Sequence, residues 1–212
     1  MKLYSYFRSS AAYRVRIALH LKGLAFEYAP VHLRKGEQNA DAYRRVNRQE
    51  LVPALIDGDA PLTQSLAIIE YLDERHPEPP LLPSTPAERA RVRAIALAIV
   101  CDIHPLNNLR VLRYLTRTLD VGEEAKDAWY RHWIDTGLGA LEAQLAADSS
   151  TGTFCHGDAP TLADVCLVPQ LANARRTNIP LESYPTLLRI DANCRALDAF
   201  ARAAPESQPD AE

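Results

Sequence analysis

The sequence predicts a protein of two domains, in which an α/β domain is followed by an all-α domain. Through residue 75, short β-prone segments alternate with amphipathic helices in the order βαβαββα, which implies a sheet with helices packed on its faces. Four prolines then fall within residues 76–83, a density that neither helix nor sheet tolerates. Every periodic segment after these prolines has helical spacing. We therefore expect domains at residues 1–76 and 85–212, joined by a stiff proline-rich linker at 77–84.

Helix and turn signals delimit the elements of the α/β domain. Ser9 and Ser10 can cap its first helix, with Ser10 the expected cap, and Gly23 ends that helix. The run Asp57-Gly58-Asp59 predicts the turn of a hairpin. The predicted strands are Lys2–Tyr6, Phe26–Val31, Ala54–Ile56 and Pro61–Leu62, and the two further helices are Asp41–Val46 and Gln64–Arg75.

Four helices are predicted in the second domain. Apolar residues at three- and four-residue steps predict one long helix from Thr85 to about Tyr114, and a second helix covers about Glu123–Leu145. The third helix begins at Thr161-Leu162-Ala163-Asp164, which has the capping-box pattern. A fourth follows Pro185. The tail from Pro205 is polar, and we expect it to be disordered.

Composition limits the classes of function that the chain can serve. Its 212 residues carry a formal net charge of -3, so no general attraction to nucleic acid is expected. No apolar run is expected to span a membrane, and Met1–Ser10 lacks the apolar core of a signal peptide, which favours a cytoplasmic location. The cysteines form no C-x-x-C pair and no zinc-type cluster, so neither a metal nor a disulfide is expected. They are Cys101, Cys155, Cys166 and Cys194.

Several motifs occur along the chain in a fixed order, and together they resemble one known family. They are Ser5-Tyr6-Phe7-Arg8-Ser9-Ser10, Arg14-Val15-Arg16-Ile17-Ala18-Leu19, Val52-Pro53, the helix segment Gln64–Leu72, and Ala163–Gln170 with Asn173-Ala174. This series resembles the zeta class of the glutathione transferase superfamily over nearly the whole chain. The resemblance implies a thioredoxin-like first domain, the glutathione transferase fold, glutathione as cofactor and a homodimer.

The resemblance also implies which residues contact glutathione. A Ser9 hydroxyl donating to the glutathione sulfur would favour the thiolate, whereas without the resemblance Ser9 reads as an ordinary helix cap. The Val52-Pro53 peptide is cis in this family. Taken alone, Gln38 would be a solvated loop residue and His104 a structural helix residue. The implied cofactor contacts are Ser9, Ser10, Gln38, Val52, Pro53, Gln64, Ser65, His104 and Asn108.

Three arginines are the candidates for binding a dicarboxylic substrate: Arg176, Arg110 and Arg8, in that order of preference. A guanidinium group suits a carboxylate because it is planar and can donate two parallel hydrogen bonds. Arg176 and Arg110, with Ser9, are the candidate catalytic residues. Arg14 and Arg16 are expected to be structural partners of nearby carboxylates.

The implied reaction is reversible addition of the glutathione thiolate to a cis double bond, which becomes free to rotate before the thiolate leaves. The family position after the two serines usually holds cysteine, and here it is Ala11, so the reactive sulfur must be that of glutathione. This departure favours conversion of maleylpyruvate to fumarylpyruvate, as in bacterial members serving gentisate breakdown. Alternatives are isomerisation of maleylacetoacetate, glutathione conjugation or dehalogenation, and a non-catalytic binding module.

Overall fold

The computed structural model describes all residues from 1 to 212, and they form two compact units. The N-terminal unit contains Met1–Leu81 together with Arg195–Glu212, and the helical unit contains Leu82–Cys194. The sequence-based division followed the order of the chain. The packing assigns residues 195–212 to the first unit instead, because helices α1 (Ser10–Leu21) and α9 (Asp198–Ala203) lie against each other.

The N-terminal unit is built on a four-stranded sheet in the order β2-β1-β3-β4. Its strands are β1 (Lys2–Ser5), β2 (Glu27–Pro30), β3 (Ala54–Ile56) and β4 (Pro61–Thr63). Strand β1 pairs in parallel with β2 and antiparallel with β3, and β3 pairs antiparallel with β4. Helices α1, α2 (Asp41–Arg44), α3 (Ser65–Arg75) and α9 complete the unit. The predicted order βαβαββα is confirmed.

The core of this unit joins the sheet to helices α1 and α3. Strand residues Leu3 and Leu55 are fully buried. Helix α1 buries Val15, Ile17, Ala18 and Leu19, and α3 buries Ile68, Ile69 and Leu72. Removing this much apolar surface from water is the main force that fixes both helices on the sheet. The loops at the ends of the strands are thereby held in place.

The helical unit consists of five helices and shorter irregular turns. The helices are α4 (Pro86–Leu97), α5 (Leu109–Arg117), α6 (Glu123–Ala147), α7 (Leu162–Arg176) and α8 (Pro185–Arg195), the last of which ends where the chain returns to the N-terminal unit. The capping box at Thr161 and Asp164 is present as predicted. Helix α7 is almost entirely buried and forms the centre of this unit.

The predicted long helix from Thr85 to Tyr114 is wrong in one respect, because it is broken. After α4, a π-helical segment covers Ala98–Ile103, and a 3₁₀ turn follows at His104–Asn107 before α5 begins. Pro105 explains the break, since proline lacks the amide hydrogen of a helix interior and its ring clashes with the preceding turn. His104 therefore lies on a turn rather than on a continuous helix.

The stretch Pro86–Arg117 meets the length and composition criterion for a membrane-crossing helix, contrary to our expectation that no run would. The core helix of a soluble protein can meet the same criterion. The break at Pro105 interrupts regular α-helical hydrogen bonding within this stretch.

The expectation of a disordered C-terminal tail is also wrong. After α9, a 3₁₀ turn at Pro205–Ser207 continues into a segment whose polar groups are paired within the N-terminal unit. Gln208 is buried and donates from Nε2 to the carbonyls of Arg202 and Ala204, both at 2.8 Å. The polar composition of this tail suggested disorder because composition does not show hydrogen bonds that form only in the folded turn or with residues distant in sequence.

Candidate active site

The sheet register places four loops of the N-terminal unit at one edge of the sheet. Tyr4 pairs with Ala54 and Ala54 with Thr63, so the segments that follow β1, precede β3 and follow β4 adjoin one another. Ser5 pairs with Pro30, which brings the start of the loop after β2 to the same edge. The glutathione residues predicted in this unit therefore cluster by topology. They are Ser9 and Ser10 after β1, Gln38 after β2, Val52 and Pro53 before β3, and Gln64 and Ser65 after β4.

Ser9 is the N-cap of α1, and this corrects the expectation that Ser10 is the cap. The Ser9 Oγ atom accepts a hydrogen bond from the Ala12 amide at 3.2 Å. Ser10 is instead the first helical residue and is buried. Because a hydroxyl both accepts and donates, the cap leaves the Ser9 proton available for an acceptor outside the helix. Capping and donation to a thiolate are therefore compatible at the same oxygen.

Gln38 is buried rather than solvated. It lies in a 3₁₀ turn at Glu37–Asn39, and its side-chain Oε1 has no hydrogen-bond partner. A buried amide oxygen without a partner costs on the order of 1–3 kcal/mol. A ligand that donates a hydrogen bond there would remove this cost, which makes Gln38 a well-suited contact for a peptide-like ligand.

The start of α3 has the features of an anion site. The Val52-Pro53 peptide is cis, in agreement with the expectation from the motif. Gln64 precedes α3 with φ 69 and ψ 119, which is an uncommon conformation for a residue other than glycine. No side chain caps this helix, so its first amides can bind a carboxylate. The Ser65 hydroxyl lies at the same helix start and accepts from Arg14 Nη1 at 3.4 Å.

Arg16 lies beneath the loop that carries Ser9. Its guanidinium donates to Ser5 Oγ at 3.0 Å, to the Phe7 carbonyl at 3.1 Å and to the Ala203 carbonyl at 2.9 Å. Arg16 is fully buried, and burial lowers the pKa of its guanidinium to about 10. Its hydrogen-bond partners are oxygen atoms of the backbone and of a serine, so the expectation of a carboxylate partner for Arg16 is wrong.

In the helical unit, two predicted residues lie together at the start of α5. Asn108 is the N-cap of this helix, and its Oδ1 accepts from the Arg110 amide at 3.2 Å. The Arg110 side chain is exposed. His104 precedes them on the 3₁₀ turn and is half-buried. Hydrogen bonds from α6 hold this turn: Trp129 Nε1 donates to the Leu106 carbonyl at 2.9 Å, and Asn107 Nδ2 donates to the Tyr130 carbonyl at 3.1 Å.

Arg176 lies at the end of α7 and is exposed, donating to Asn173 Oδ1 at 3.1 Å. The hydroxyl of buried Tyr130 lies near it: burial raises the pKa of Tyr130, and the Arg176 charge acts in the opposite direction. The adjacent Arg175 differs, because it pairs with the buried Asp191 carboxylate at 2.5 Å. Of these two neighbouring arginines, Arg175 is paired with a carboxylate of this chain, whereas Arg176 contacts the amide oxygen of Asn173.

Comparison with known proteins identifies the family. Residues 3–80 match the model of the glutathione S-transferase N-terminal domain, and residues 123–204 match that of the C-terminal domain. A probable maleylacetoacetate isomerase of Vibrio cholerae is 56% identical, covering 99% of this chain and 97% of the relative. The chain belongs to the glutathione S-transferase family. The resemblance read from the motifs is thereby confirmed.

Two solved structures locate the chain within the glutathione S-transferase family. A holo structure of a maleyl pyruvate isomerase, described as a bacterial zeta-class glutathione S-transferase, matches with TM-score 0.98 and 51% identity, covering 100% of both chains. A maleylacetoacetate isomerase of Methylobacterium extorquens AM1, solved with malonate and glutathione bound, matches with TM-score 0.97 and 44% identity, again covering 100% of both. The full-length agreement shows that this chain has the zeta-class fold.

Three features of this glutathione S-transferase were not anticipated. Gln49 Oε1 accepts from Gln64 Nε2 at 2.9 Å, and Tyr130 lies near Arg176, but neither residue stands in a motif that would single it out. Cys101 is exposed on the π-helical segment, although cysteine is one of the residue types most often buried in proteins.

Proposed function

We propose that this glutathione S-transferase is a glutathione-dependent cis–trans isomerase that converts maleylpyruvate to fumarylpyruvate in the cytoplasm. The observation that carries the proposal is the full-length agreement with a zeta-class maleyl pyruvate isomerase, at 51% identity and TM-score 0.98. The sheet edge of the N-terminal unit supports it, because a hydroxyl donor, a buried amide oxygen and an uncapped helix start adjoin there. Fold alone would not support a function, so these groups matter.

The residues of the N-terminal unit fit glutathione. The amides at the start of α3, with Ser65, suit the γ-glutamyl carboxylate. Gln38 Oε1 suits an N–H of the tripeptide, since it lacks any other partner. The backbone around Val52 and Pro53 lies at the same edge and suits the cysteinyl portion. In the helical unit, we assign His104 and Asn108 as further polar contacts without an acid–base role.

Glutathione, when bound, supplies the thiolate that adds to the cis double bond and leaves again after rotation. Ser9 donates a hydrogen bond that favours the charged form of the sulfur, while its oxygen continues to cap α1. The positive end of the α1 dipole acts in the same direction. No side-chain thiol is required, because Ala11 stands where the family usually has cysteine.

Three arginines are assigned to substrate binding. Arg176 and Arg110 bind the carboxylates of the diacid and oppose the negative charge that develops when the double bond is attacked, and Arg8, beside Ser9, assists. Arg8 lies over the Phe7 ring, 4.9 Å from its centroid. None of the three pairs with a carboxylate of this chain. Other surface arginines share this property, so their placement and the family motifs single these three out.

A second candidate function is isomerisation of maleylacetoacetate, which the 56% identity to the Vibrio cholerae protein of that name favours. Both substrates are dicarboxylates with a cis double bond, so the same residues serve either. Glutathione conjugation or dehalogenation on the same fold, and a non-catalytic module, remain the other classes. Conjugation or dehalogenation would give net consumption of glutathione, whereas a non-catalytic module would show no turnover.

We also propose that the chain forms a homodimer. The helical unit exposes Leu97, Tyr114 and Leu119 on and after helices α4 and α5, and contact with a second copy would remove such apolar surface from water. Sedimentation at micromolar concentration should give about twice the 23.6 kDa chain mass. A single species at the chain mass would contradict the dimer.

The function is tested with dialysed protein, each diacid in turn, and glutathione. We expect trans product to form only when glutathione is present, with total glutathione unchanged at the end and kcat/KM higher for maleylpyruvate than for maleylacetoacetate. Loss of one glutathione per substrate would assign a conjugating transferase instead. A higher kcat/KM for maleylacetoacetate would select the second candidate.

A further inference from the structure

Two side chains from outside the loop that carries Ser9 form hydrogen bonds with its backbone. Its own backbone makes one turn, in which the Ser9 amide donates to the Tyr6 carbonyl at 2.9 Å. Buried Arg16 donates to the Phe7 carbonyl at 3.1 Å and to the Tyr6 carbonyl at 3.4 Å. The Phe7 amide in turn donates to Asp210 Oδ2 at 3.2 Å. Asp210 is the third residue from the C-terminus and is 203 positions from Phe7.

The C-terminal tail is built to present this carboxylate. The two Gln208 hydrogen bonds lock the turn after α9, and the Ala211 amide donates to the Gln208 carbonyl at 3.0 Å. The second oxygen of Asp210, Oδ1, accepts from the Tyr28 hydroxyl at 2.6 Å. Both oxygens of one carboxylate are therefore engaged, one on the loop and one on strand β2.

We propose that Asp210 is a positioning residue, which fixes the loop of Ser9 so that the Ser9 hydroxyl faces the sulfur of bound glutathione. The Phe7 amide is two residues before Ser9, so its anchor restricts the backbone dihedrals that orient the serine. Arg16 completes the clamp, because it also donates to the Ala203 carbonyl at 2.9 Å and so joins the same loop to the C-terminal segment. The proposal rests on the proposed use of glutathione and adds a role for the tail.

The chain offers a matched control two residues further on. Glu212 also binds the N-terminal unit, but it contacts His32 Nε2 at 2.9 Å and Lys35 Nζ at 3.5 Å and not the loop of Ser9. Glu212→Gln removes a tail carboxylate and leaves the Asp210 contacts in place. Tyr28→Phe removes one anchor of Asp210 while conserving the shape of the core, so it serves as a milder second variant.

The first measurement uses protein without glutathione. Hydrogen exchange at the Phe7 amide should be about tenfold faster or more in Asp210→Ala, which corresponds to the loss of one hydrogen bond, while core amides of α1 keep their rates. Tyr28→Phe should give a smaller increase, and Glu212→Gln none. An unchanged Phe7 exchange rate in Asp210→Ala would overturn the clamp, whatever the activity of the protein.

The second measurement uses the glutathione complex. The pKa of the bound thiol, followed by thiolate absorbance, should rise in Asp210→Ala, and kcat should fall about tenfold with less than a threefold change in glutathione affinity. Glu212→Gln should match the wild type in all three. A wild type without isomerase activity would refute the proposed function and leave the Phe7 result standing, whereas an active wild type with an unaltered thiol pKa in Asp210→Ala would refute the positioning role.

Discussion

The two units of the molecule bury charges of opposite sign. The N-terminal unit buries the guanidinium groups of Arg14 and Arg16, and the helical unit buries the carboxylates of Asp164 and Asp191. A buried charge is tolerated only when hydrogen bonds or an opposite charge replace the water it has lost. The two units meet this requirement in different ways, and the difference bears on where each can bind an anion.

In the N-terminal unit, Arg16 uses uncharged partners. Serine and backbone oxygens surround its guanidinium, so a positive charge remains beneath the loop of Ser9. In the helical unit, Asp191 is paired with Arg175, and Asp164 accepts three hydrogen bonds at 2.8 Å from Cys155 N, Thr161 N and Thr161 Oγ. The first arrangement favours an anion nearby. The second stabilises a loop, so we assign the proposed substrate binding in this unit to exposed arginines.

The largest effect is expected at the buried carboxylate. Asp164→Ala removes the acceptor of three buried donors at once, and it should lower the free energy of unfolding by about 4 kcal/mol, measured by urea denaturation. Asp158 provides the control, because it binds Thr153 on the exposed part of the same loop. Asp158→Ala should cost less than about 1.5 kcal/mol. Equal losses of unfolding free energy in Asp164→Ala and Asp158→Ala would show that the buried Asp164 carboxylate does not stabilise the helical unit.

The next-largest effect is expected at Ser9, whose loop accepts hydrogen bonds from the buried guanidinium of Arg16. Ser9→Ala should lower kcat about 10- to 100-fold, because one hydrogen bond to a charged sulfur contributes about 1.5–3 kcal/mol. The pKa of the bound thiol should rise. Ser10 is the first helical residue and does not cap α1, so Ser10→Ala should raise that pKa less than Ser9→Ala does. If the pKa were the same in Ser9→Ala, the helix amides and Arg16 would account for the thiolate instead.

The exposed arginines of the helical unit should show a selective effect. Arg176→Ala and Arg110→Ala should each lower kcat/KM about tenfold or more for the diacid, and much less for a neutral electrophile such as a chloronitrobenzene. Arg117→Ala, in the same helix as Arg110, should have little effect on either substrate. Equal losses on both substrates would mean that Arg176 and Arg110 support the fold and do not bind carboxylates.

The difference between the N-terminal unit and the helical unit also explains which parts of the structure could be predicted from the sequence. In the N-terminal unit, regular strands and short turns fix the site, so motif positions such as Gln64 and Pro53 lie together at one edge of the sheet. In the helical unit, the candidate residues His104 and Asn108 lie on or directly after an irregular 3₁₀ turn. The π-helical turn at Ala98–Ile103 shifts the register of the helix, and periodicity cannot show such a shift. The role of Asp210 depends on a contact 203 positions away, which no local pattern reveals.

The smallest effect is expected at Asp148, a third carboxylate of the helical unit, which is more exposed than Asp164 and Asp191. Asp148 accepts from Arg91 Nε at 2.7 Å and from the Ser150 amide at 2.8 Å, and these contacts, led by that of Arg91, hold its pKa down to about 2. Because this pKa lies below the ordinary value of 3.8, the contribution to stability is complete above pH 3.8 and is lost as the pH falls toward 2. The wild type should therefore be more stable than Asp148→Asn at pH 6, and the difference should shrink between pH 4 and pH 2. Denaturation across this range measures it. A difference that stayed constant down to the lowest pH would show that the negative charge of Asp148 contributes nothing to stability.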